Sequence, residues 1–164
     1  MEVIFAIPGE PMGKGRPRFT ITGGRAIAYT LKATRDYEDL IRSSYIAKHL
    51  PCFGQGVPLA VSVTASFSIP KNARKADRLL MLKGEILPTK KPDLDNIAKI
   101  VLDALNGAAY HDDSQVCILR IEKIYIAFLK LTKLSIRFTP FKHFIKFFML
   151  NFCVFWQPPP PWDF

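Results

Sequence analysis

The chain has 164 residues and a formal net charge of +9, a length that fits one domain with a single core. So large a basic surplus indicates an anionic partner and ranks nucleic acid above an anionic membrane surface, although a basic surface that only keeps the protein soluble is the alternative. The cysteines, Cys52, Cys117 and Cys153, have no paired spacing, which argues against a disulfide framework and against a zinc site.

The first 20 residues combine a short apolar run with a basic segment. Residues 3–7 are apolar and stop at a Pro-Gly pair, which predicts a strand. Because no basic residues precede this run, we expect no secretory signal and a cytoplasmic protein. Residues 11–19 are rich in Gly and Pro and place Lys14, Arg16 and Arg18 close together. We expect this loop to contact phosphates; a solvated basic loop is the alternative, and the Gly-Lys-Ser/Thr ending of a P-loop is missing.

Three further elements are predicted before residue 70. Residues 25–29 are a candidate strand. Thr34 stands where an N-cap would open a helix that runs to about His49 and is ended by Pro51. Residues 57–69 alternate apolar side chains with smaller or polar ones, which is the period-two pattern of a half-buried strand.

A polar and basic stretch then leads directly into an acidic motif. It contains Lys71, Arg74, Lys75, Arg78, Lys90 and Lys91. A short helix is predicted at residues 73–82, and we expect Arg74, Lys75 and Lys91 to contact phosphates. A solvated helix face is the alternative interpretation of these cations.

The second half of the chain predicts one helix and two strands. Residues 94–105 repeat apolar side chains at i, i+3, i+4 and i+7, which indicates an amphipathic helix that Asn106-Gly107 ends. Residues 116–125 are typical of a strand. Residues 132–138 alternate apolar with polar side chains and are predicted to be its antiparallel partner.

The composition changes from residue 127 onward. This part holds 11 of the 20 aromatic residues and one acid, Asp163. Lys142, Lys146 and Asn151 interrupt every apolar run before the roughly 18 residues that a membrane span needs. It could be a membrane-surface helix, a partner-binding segment, or sequence not selected to fold with the domain, and we favour the last. We therefore divide the chain into a domain of residues 1–138 and a tail of residues 139–164.

Negative charge is concentrated at the start of the predicted helix. Asp93 is a ready N-cap, worth about 1 kcal/mol, and Asp95 in the first turn gains roughly 0.3 to 1 kcal/mol from the helix dipole. Asp95 and Lys99 stand at i and i+4, and this spacing by itself could reflect only a surface ion pair. Capping and pairing are thus sufficient to explain these residues by themselves.

A second acidic pair, Asp112-Asp113, favours a chemical role. The helix is about 18 Å long, and the steps from Asn106 to Asp113 span at most about 23 Å. If residues 108–113 return extended and antiparallel to the helix, Asp112 or Asp113 arrives beside Asp93 and Asp95. The carboxylates would repel one another, since each pair of unit charges about 4 Å apart costs on the order of 4 kcal/mol at an effective dielectric of 20.

A divalent cation would relieve this repulsion. Carboxylates without clustered His or Cys favour Mg²⁺ or Mn²⁺ over zinc. Such an ion can activate water and stabilise the leaving oxygen in phosphodiester cleavage, and Lys99 could neutralise charge that develops on the phosphate.

Three ordered blocks carry a resemblance to a known family. They are Asp93-Leu94-Asp95-Asn96-x-x-Lys99, Asp103-Ala104-Leu105-Asn106-Gly107 and Asp112-Asp113-Ser114-Gln115-Val116. Their order and spacing resemble the signature of the RusA family of Holliday junction resolvases, which are often found on prophages. Together with the early basic segment, which is similar to Gram-positive and phage members, the resemblance covers roughly residues 1–125. It implies a small mixed α/β (α+β) fold, a homodimer, and Mg²⁺-dependent paired nicking of four-way DNA junctions.

The resemblance also implies roles for individual residues. By motif position, Asp93, Asp95 and Asp113 would bind the metal and Lys99 would be the catalytic lysine, with Asp112 the second choice to Asp113. Asp103 lies about 80° around the helix from Asp95 and is interpreted as structural, and His111 as incidental. The chain departs from the family's pattern after residue 125, so the family's last strand depends on residues 132–138 taking its place.

We therefore predict a homodimeric, Mg²⁺-dependent endodeoxyribonuclease that resolves Holliday junctions in DNA recombination and repair, with Mn²⁺ as an alternative ion. A two-fold dimer suits a four-way junction, which is itself approximately two-fold symmetric. Phosphate contacts are expected from Lys14, Arg16, Arg18, Arg74, Lys75 and Lys91, with salt-sensitive affinity. The rivals are a catalytically silent branched-DNA-binding module and a membrane-surface protein that uses its aromatic tail; the favoured interpretation involves no membrane.

Overall fold

The structure, a computed structural model, describes residues 2–22, 25–127 and 132–140. The elements in chain order are β1 (Val3–Pro8), β2 (Arg18–Thr22), β3 (Arg25–Tyr29), α1 (Lys32–Ala47), β4 (Leu59–Ser68), α2 (Lys75–Lys83), α3 (Leu94–Leu105), a 3₁₀ turn (Asp113–Gln115), β5 (Val116–Ile126) and β6 (Lys133–Pro140). Four strands form a mixed sheet in the order β1-β6-β4-β5, and β2 pairs with β3 in a separate hairpin. The predicted α+β class is confirmed.

Strand β4 lies inside the sheet, between β5 and β6. It pairs in parallel with β5, where Val61 lies opposite Leu119, and antiparallel with β6, where Val61 lies opposite Phe138. A parallel pair needs a long crossover, and the segment that contains α2 and α3 provides it. The predicted pairing of residues 132–138 with residues 116–125 is therefore wrong: β6 lies between β4 and β1 instead.

The core lies between the sheet and two helices. Helices α1 and α3 contribute the buried residues Tyr37, Ile41 and Tyr45, and Ile97, Ile100, Val101, Ala104 and Leu105. They pack with alternate residues of three strands, namely Val3, Phe5 and Ile7, Leu59, Val61, Val63, Ala65 and Phe67, and Leu134, Ile136 and Phe138. Each large apolar side chain buried in this way contributes about 1.5 to 3 kcal/mol. Because β6 supplies three of them, residues 132–138 form an integral part of this core.

The opposite face of the sheet is more polar. Ile4 of β1 is 55% exposed there, and the hydroxyl of Thr64 donates a hydrogen bond to Glu122 at 2.8 Å. One face buried in the core and one more polar face explain the period-two patterns in the strands.

The helix boundaries agree with the sequence at α3 and differ at α1. Helix α3 begins and ends at the predicted residues. Helix α1 begins at Lys32 with Leu31 at the N-cap, so the assignment of Thr34 as N-cap is wrong. Thr34 is buried inside the first turn, and its hydroxyl oxygen accepts a hydrogen bond from the backbone N–H of Gly15 at 3.3 Å.

The C-terminal part of the chain is described as far as Pro140. Strand β6 runs two residues past the predicted domain boundary at residue 138, and the rest of the predicted tail, residues 141–164, lies outside the described residues. Within the described ranges, no helix is both long and apolar enough to cross a membrane.

Candidate active site

The acidic motif lies at the N-terminus of α3. Asp93 is the N-cap, and its backbone carbonyl accepts a hydrogen bond from the N–H of Ile97 at 3.1 Å, but its carboxylate accepts no capping hydrogen bond. One turn further, Asp95 Oδ2 lies 3.3 Å from Lys99 Nζ in an exposed ion pair. Such a pair contributes little to stability. Asp93 therefore occupies the capping position while its side chain stays available for another role.

The basic loop that precedes β2 is held directly against this end of α3. The N–H of Lys14 donates to the carbonyl of Asn96 at 2.8 Å. Gly13 has no room for a side chain, since a Cβ there would lie 2.7 Å from Pro92 Cβ and 3.0 Å from Asn96 Cβ. A glycine is needed here because the loop backbone passes in contact with the first turn of the helix.

Lys14 fastens the same loop through its side chain. Its ammonium group forms ion pairs with Glu38 of α1, at 3.2 Å, and with Asp103 of α3. Partial burial lowers the pKa of Lys14, but the hydrogen bonds that its ammonium group donates to Asp103 and Glu38 raise it, and the net pKa lies above the ordinary lysine value. Two carboxylates thus already neutralise the cation that we expected on a phosphate, and Asp103 has the structural contact that its position on the helix indicated.

Lys123, which the sequence interpretation missed, forms hydrogen bonds to the segment that immediately precedes Asp93. This β5 residue donates from Nζ to the carbonyls of Lys90, at 2.9 Å, and Pro92, at 3.2 Å. The peptide bond between Lys91 and Pro92 is cis. The sequence offers only a lysine in a strand that also contains Arg120 and Glu122, which does not identify the partners of Lys123.

An open cleft of about 850 Å³ lies between the loop and the helix start. It is lined by residues 10–16, Phe67, Lys91, Pro92, Asp93 and Asn96. Asp93, Arg16 and Lys91 therefore line one cavity, which brings a carboxylate and two cations to the same cleft. Asp95 and Lys99 follow Asp93 on the exposed surface of α3.

The remaining predicted phosphate-binding cations are spread more widely. Arg18 begins the β2–β3 hairpin, while Arg74 and Lys75 lie at the N-terminus of α2. All three are exposed, as are Arg16 and Lys91. Among the described residues, none of these five forms an ion pair. In the described part of the chain, no carboxylate therefore neutralises these five basic groups.

The second acidic pair begins a short turn in which its two members differ. The carboxylate of Asp112 accepts a hydrogen bond from the N–H of Ser114 at 2.9 Å, and the N–H of Asp112 donates to Gln115 Oε1 at 3.3 Å. The hydrogen bonds from Ser114 lower the pKa of Asp112. Asp113 is exposed and takes no part in this capping arrangement. The capping hydrogen bonds therefore involve Asp112 and not Asp113, and the choice between the two as a metal ligand stays a prediction.

The extended return that we expected for residues 108–113 is not formed. The N–H groups of Ala108 and Ala109 both donate to the carbonyl of Leu105, and the Tyr110 hydroxyl donates to the carbonyl of Leu102 at 2.8 Å. The chain therefore makes a tight turn at the C-terminal end of α3. Asp113 lies just before β5, at the end of the strand opposite to Lys123.

The separation of the two acidic groups follows from the strand. Val116 and Lys123 are seven residues apart on β5, which corresponds to roughly 23 Å, and Lys123 is the residue that contacts Pro92. In the part of the chain that the structure describes, no group of three or more His, Cys, Asp or Glu side chains is arranged to hold a metal ion. One chain thus brings Asp93 and Asp95 together at one helix end but leaves Asp113 apart from them.

Comparison with known proteins identifies the family of the chain. The family model described as "Endodeoxyribonuclease RusA" matches residues 8–134. The chain is also 33% identical over 123 residues to "Uncharacterized protein YqaN" of Bacillus subtilis (strain 168), which covers 74% of this chain and 86% of the relative. The family match contains the basic loop, α3, the Asp112-Asp113 turn and the start of β6. The chain therefore belongs to the RusA endodeoxyribonuclease family.

Proposed function

We propose that this protein is a Mg²⁺-dependent, homodimeric endonuclease that resolves Holliday junctions by paired nicks and works on cytoplasmic DNA. Its membership of an endodeoxyribonuclease family supports cleavage of a DNA backbone. The observation that carries the proposal is the position of Asp93. Its carboxylate begins α3, lines a cleft that also contains Arg16 and Lys91, and is not used for capping.

Asp93 and Asp95 are the residues of one chain that would hold the ion. Their oxygen ligands fit Mg²⁺, which proteins commonly bind through one or two carboxylates together with water and substrate phosphates, and Mn²⁺ accepts the same ligands. A bound ion of this kind supplies Lewis-acid stabilisation of the phosphate and lowers the pKa of water. Arg16 and Lys91 would bind phosphates of the strand that lies in the cleft.

Lys99 has a separate part in this proposal. Its ammonium group lies 3.3 Å from Asp95 in the free protein. If the Asp95 carboxylate turns to the metal, Lys99 remains one helical turn away, where it can stabilise negative charge that develops on the phosphate. The surface ion pair thus keeps the cation close to the reacting group before substrate arrives.

A homodimer accounts for the third carboxylate. Asp113 lies at the far end of β5 from Asp93 within one chain, so it reaches the metal only if it comes from a second copy. In a two-fold dimer, any contact made by one subunit is repeated by the other. Asp113 of the partner subunit would then complete each of two identical sites, one for each strand to be nicked.

The decisive experiment is cleavage of a labelled synthetic four-way junction by the unmodified protein and by Asp93→Asn. With Mg²⁺ we expect the unmodified protein to produce paired nicks and Asp93→Asn to lose at least about 100-fold in rate, while junction binding measured in Ca²⁺ survives. Asp39→Asn, an equal charge change at an exposed α1 position, is the matched control. Undiminished cutting by Asp93→Asn would overturn the site assignment.

The separation of Asp113 from Asp93 is also the observation that favours the second candidate, a branched-DNA-binding module without catalysis. That candidate requires the unmodified protein to bind the junction and to leave it uncut in both Mg²⁺ and Mn²⁺. A membrane-surface role would rest on the tail, and it requires liposome binding that disappears when residues after Phe138 are removed.

A further inference from the structure

The β2–β3 hairpin presents an apolar face that no other part of the described protein covers. Its register sets Phe19 opposite Ala28 and Ile21 opposite Ala26. Phe19 and Ile21 point to the same side of the ribbon, because alternate residues of a strand share a face. They are 73% and 78% exposed, the two highest values among the exposed large apolar side chains of the described residues. A contiguous exposed apolar patch of this kind marks an interaction site.

The charge around this face identifies what can cover it. Residues 11–35 contain six cations and no acid. Lys14 is neutralised by Glu38 and Asp103, whereas Arg16 and Arg18 are exposed and form no ion pair among the described residues. A second copy of the chain would bring the same cations against these and be repelled. A partner that is polyanionic and also has planar apolar faces fits both features, and DNA with unstacked bases is such a partner.

The hairpin is also fixed close to the cleft. Arg16 lines the cleft that contains Asp93, and Phe19 follows three residues later, which spans at most roughly 10 Å of extended chain. The hydrogen bond from the N–H of Lys14 to Asn96 ties the start of this segment to α3. The Cα atom of Phe19 therefore lies within about 10 Å of the Cα atom of Arg16, and Arg16 shares the cavity with the proposed catalytic carboxylate.

We propose that Phe19 and Ile21 form a stacking surface for unpaired or unstacked bases at the branch point, with Arg16 and Arg18 on the adjacent phosphates. This inference rests on the proposed function and names a residue pair that would distinguish branched from linear DNA. Bases stack on aromatic side chains whatever their identity, since every base has a π face. Apolar side chains can likewise enter between base steps that are already weakly stacked. A continuous duplex offers no such bases, so the surface favours branched DNA without reading sequence.

The test compares Phe19→Ala with Phe19→Trp and measures affinity in Ca²⁺ by fluorescence anisotropy. The probes are a labelled four-way junction and a linear duplex of the same sequence. We expect Phe19→Ala to weaken junction binding about 5- to 150-fold and to leave duplex binding unchanged, whereas Phe19→Trp keeps the junction affinity. Thr20→Ala, which changes an exposed side chain on the other face of the same strand, is the matched control. Circular dichroism of each variant checks the fold.

A second readout places the bases. A junction with 2-aminopurine at the branch point should change its emission when the unmodified protein or Phe19→Trp binds, and change it far less with Phe19→Ala. The inference is overturned if Phe19→Ala binds the junction like the unmodified protein, or if it weakens junction and duplex equally. It is also overturned if the substitution alters the sedimentation mass of the free protein, because the face would then lie between copies of the chain.

The combined results distinguish failure of the stacking surface from failure of the proposed nuclease function. If the unmodified protein binds junctions and Phe19→Ala abolishes the preference but no preparation cuts DNA, the nuclease proposal fails and the stacking surface stands. If the unmodified protein cuts junctions and Phe19→Ala keeps the same preference for junction over duplex as the unmodified protein, the stacking surface alone fails. If the unmodified protein does not distinguish junction from duplex, both fail.

Discussion

The contact between Gly13 and the start of α3 gives a sharp prediction for Gly13→Ala. The new Cβ would lie 2.7 Å from Pro92 Cβ and 3.0 Å from Asn96 Cβ, whereas carbon atoms ordinarily approach to about 3.5 to 4.0 Å. Because both neighbours are Cβ atoms, neither can rotate away from the backbone that carries it. The loop and the helix must therefore separate by roughly 1 Å.

The cost follows from this displacement. Overpacking by one methyl group costs about 1 to 3 kcal/mol, and the lower entropy of alanine in the unfolded chain returns about 0.4 to 1 kcal/mol. We expect Gly13→Ala to lower the free energy of unfolding by about 1 to 2 kcal/mol. A misplacement of 1 Å can cost about 100-fold in rate, so junction cleavage should fall by one to two orders of magnitude under conditions where the variant is still folded.

Urea unfolding and single-turnover junction cleavage measure the two effects separately. Gly54→Ala is the control, because a Cβ at Gly54 would make only an ordinary contact with Val57 at 3.9 Å. If Gly13→Ala is as stable and as active as Gly54→Ala, the loop is not held against α3. If stability falls and the cleavage rate does not, the loop packs on the helix without positioning the DNA.

Two further predictions address the support of the motif and the completion of the site. Lys123→Met removes charge-assisted hydrogen bonds to the carbonyls of Lys90 and Pro92, so we expect about 1 to 3 kcal/mol lower stability in urea unfolding and slower cleavage, both partly restored by Lys123→Arg. Asp93→Asn and Asp113→Asn should each be inactive alone, but after mixing and subunit exchange about a quarter of all sites should again contain both carboxylates. The recovery is measured as single nicks and as Mn²⁺ bound by electron paramagnetic resonance. If neither recovers, Asp113 is not shared between subunits.

Helix α3 illustrates how much could be predicted from the sequence. An N-cap aspartate, an apolar stripe and an Asn-Gly ending are local signals, and together they gave both of its ends. The position of Asp93 at the N-cap followed from the same signals. What they could not reveal is that the Asp93 carboxylate makes no capping hydrogen bond and that it lines a cleft with a loop some 80 residues earlier in the chain.

The partners of β6 and Lys14 show where local signals end. The alternation in residues 132–138 predicts a strand with Leu134, Ile136 and Phe138 on one face, and these residues are buried, but no local pattern states which strands lie beside it. Lys14 has the spacing of a phosphate-binding cation, yet Asp103 lies 89 residues further along the chain. Charge composition counts such a lysine as free when the fold has already paired it.

The segment from Asn106 to Asp113 is long enough to bring Asp113 back to Asp93 of the same chain, but sufficient length does not make the segment take that path. An extended segment could have crossed back along α3, but the carbonyls at the end of the helix need donors, and Ala108, Ala109 and the Tyr110 hydroxyl provide them by turning tightly. The chain then returns along the helix as β5 itself, which leaves Asp113 at the far end. The residues that satisfy the end of α3 therefore cannot also extend back along the helix and carry Asp113 to Asp93. A second subunit removes this constraint, because each chain can keep its helix end satisfied and still present Asp113 to its partner, and this is why catalysis and dimerisation should be lost together.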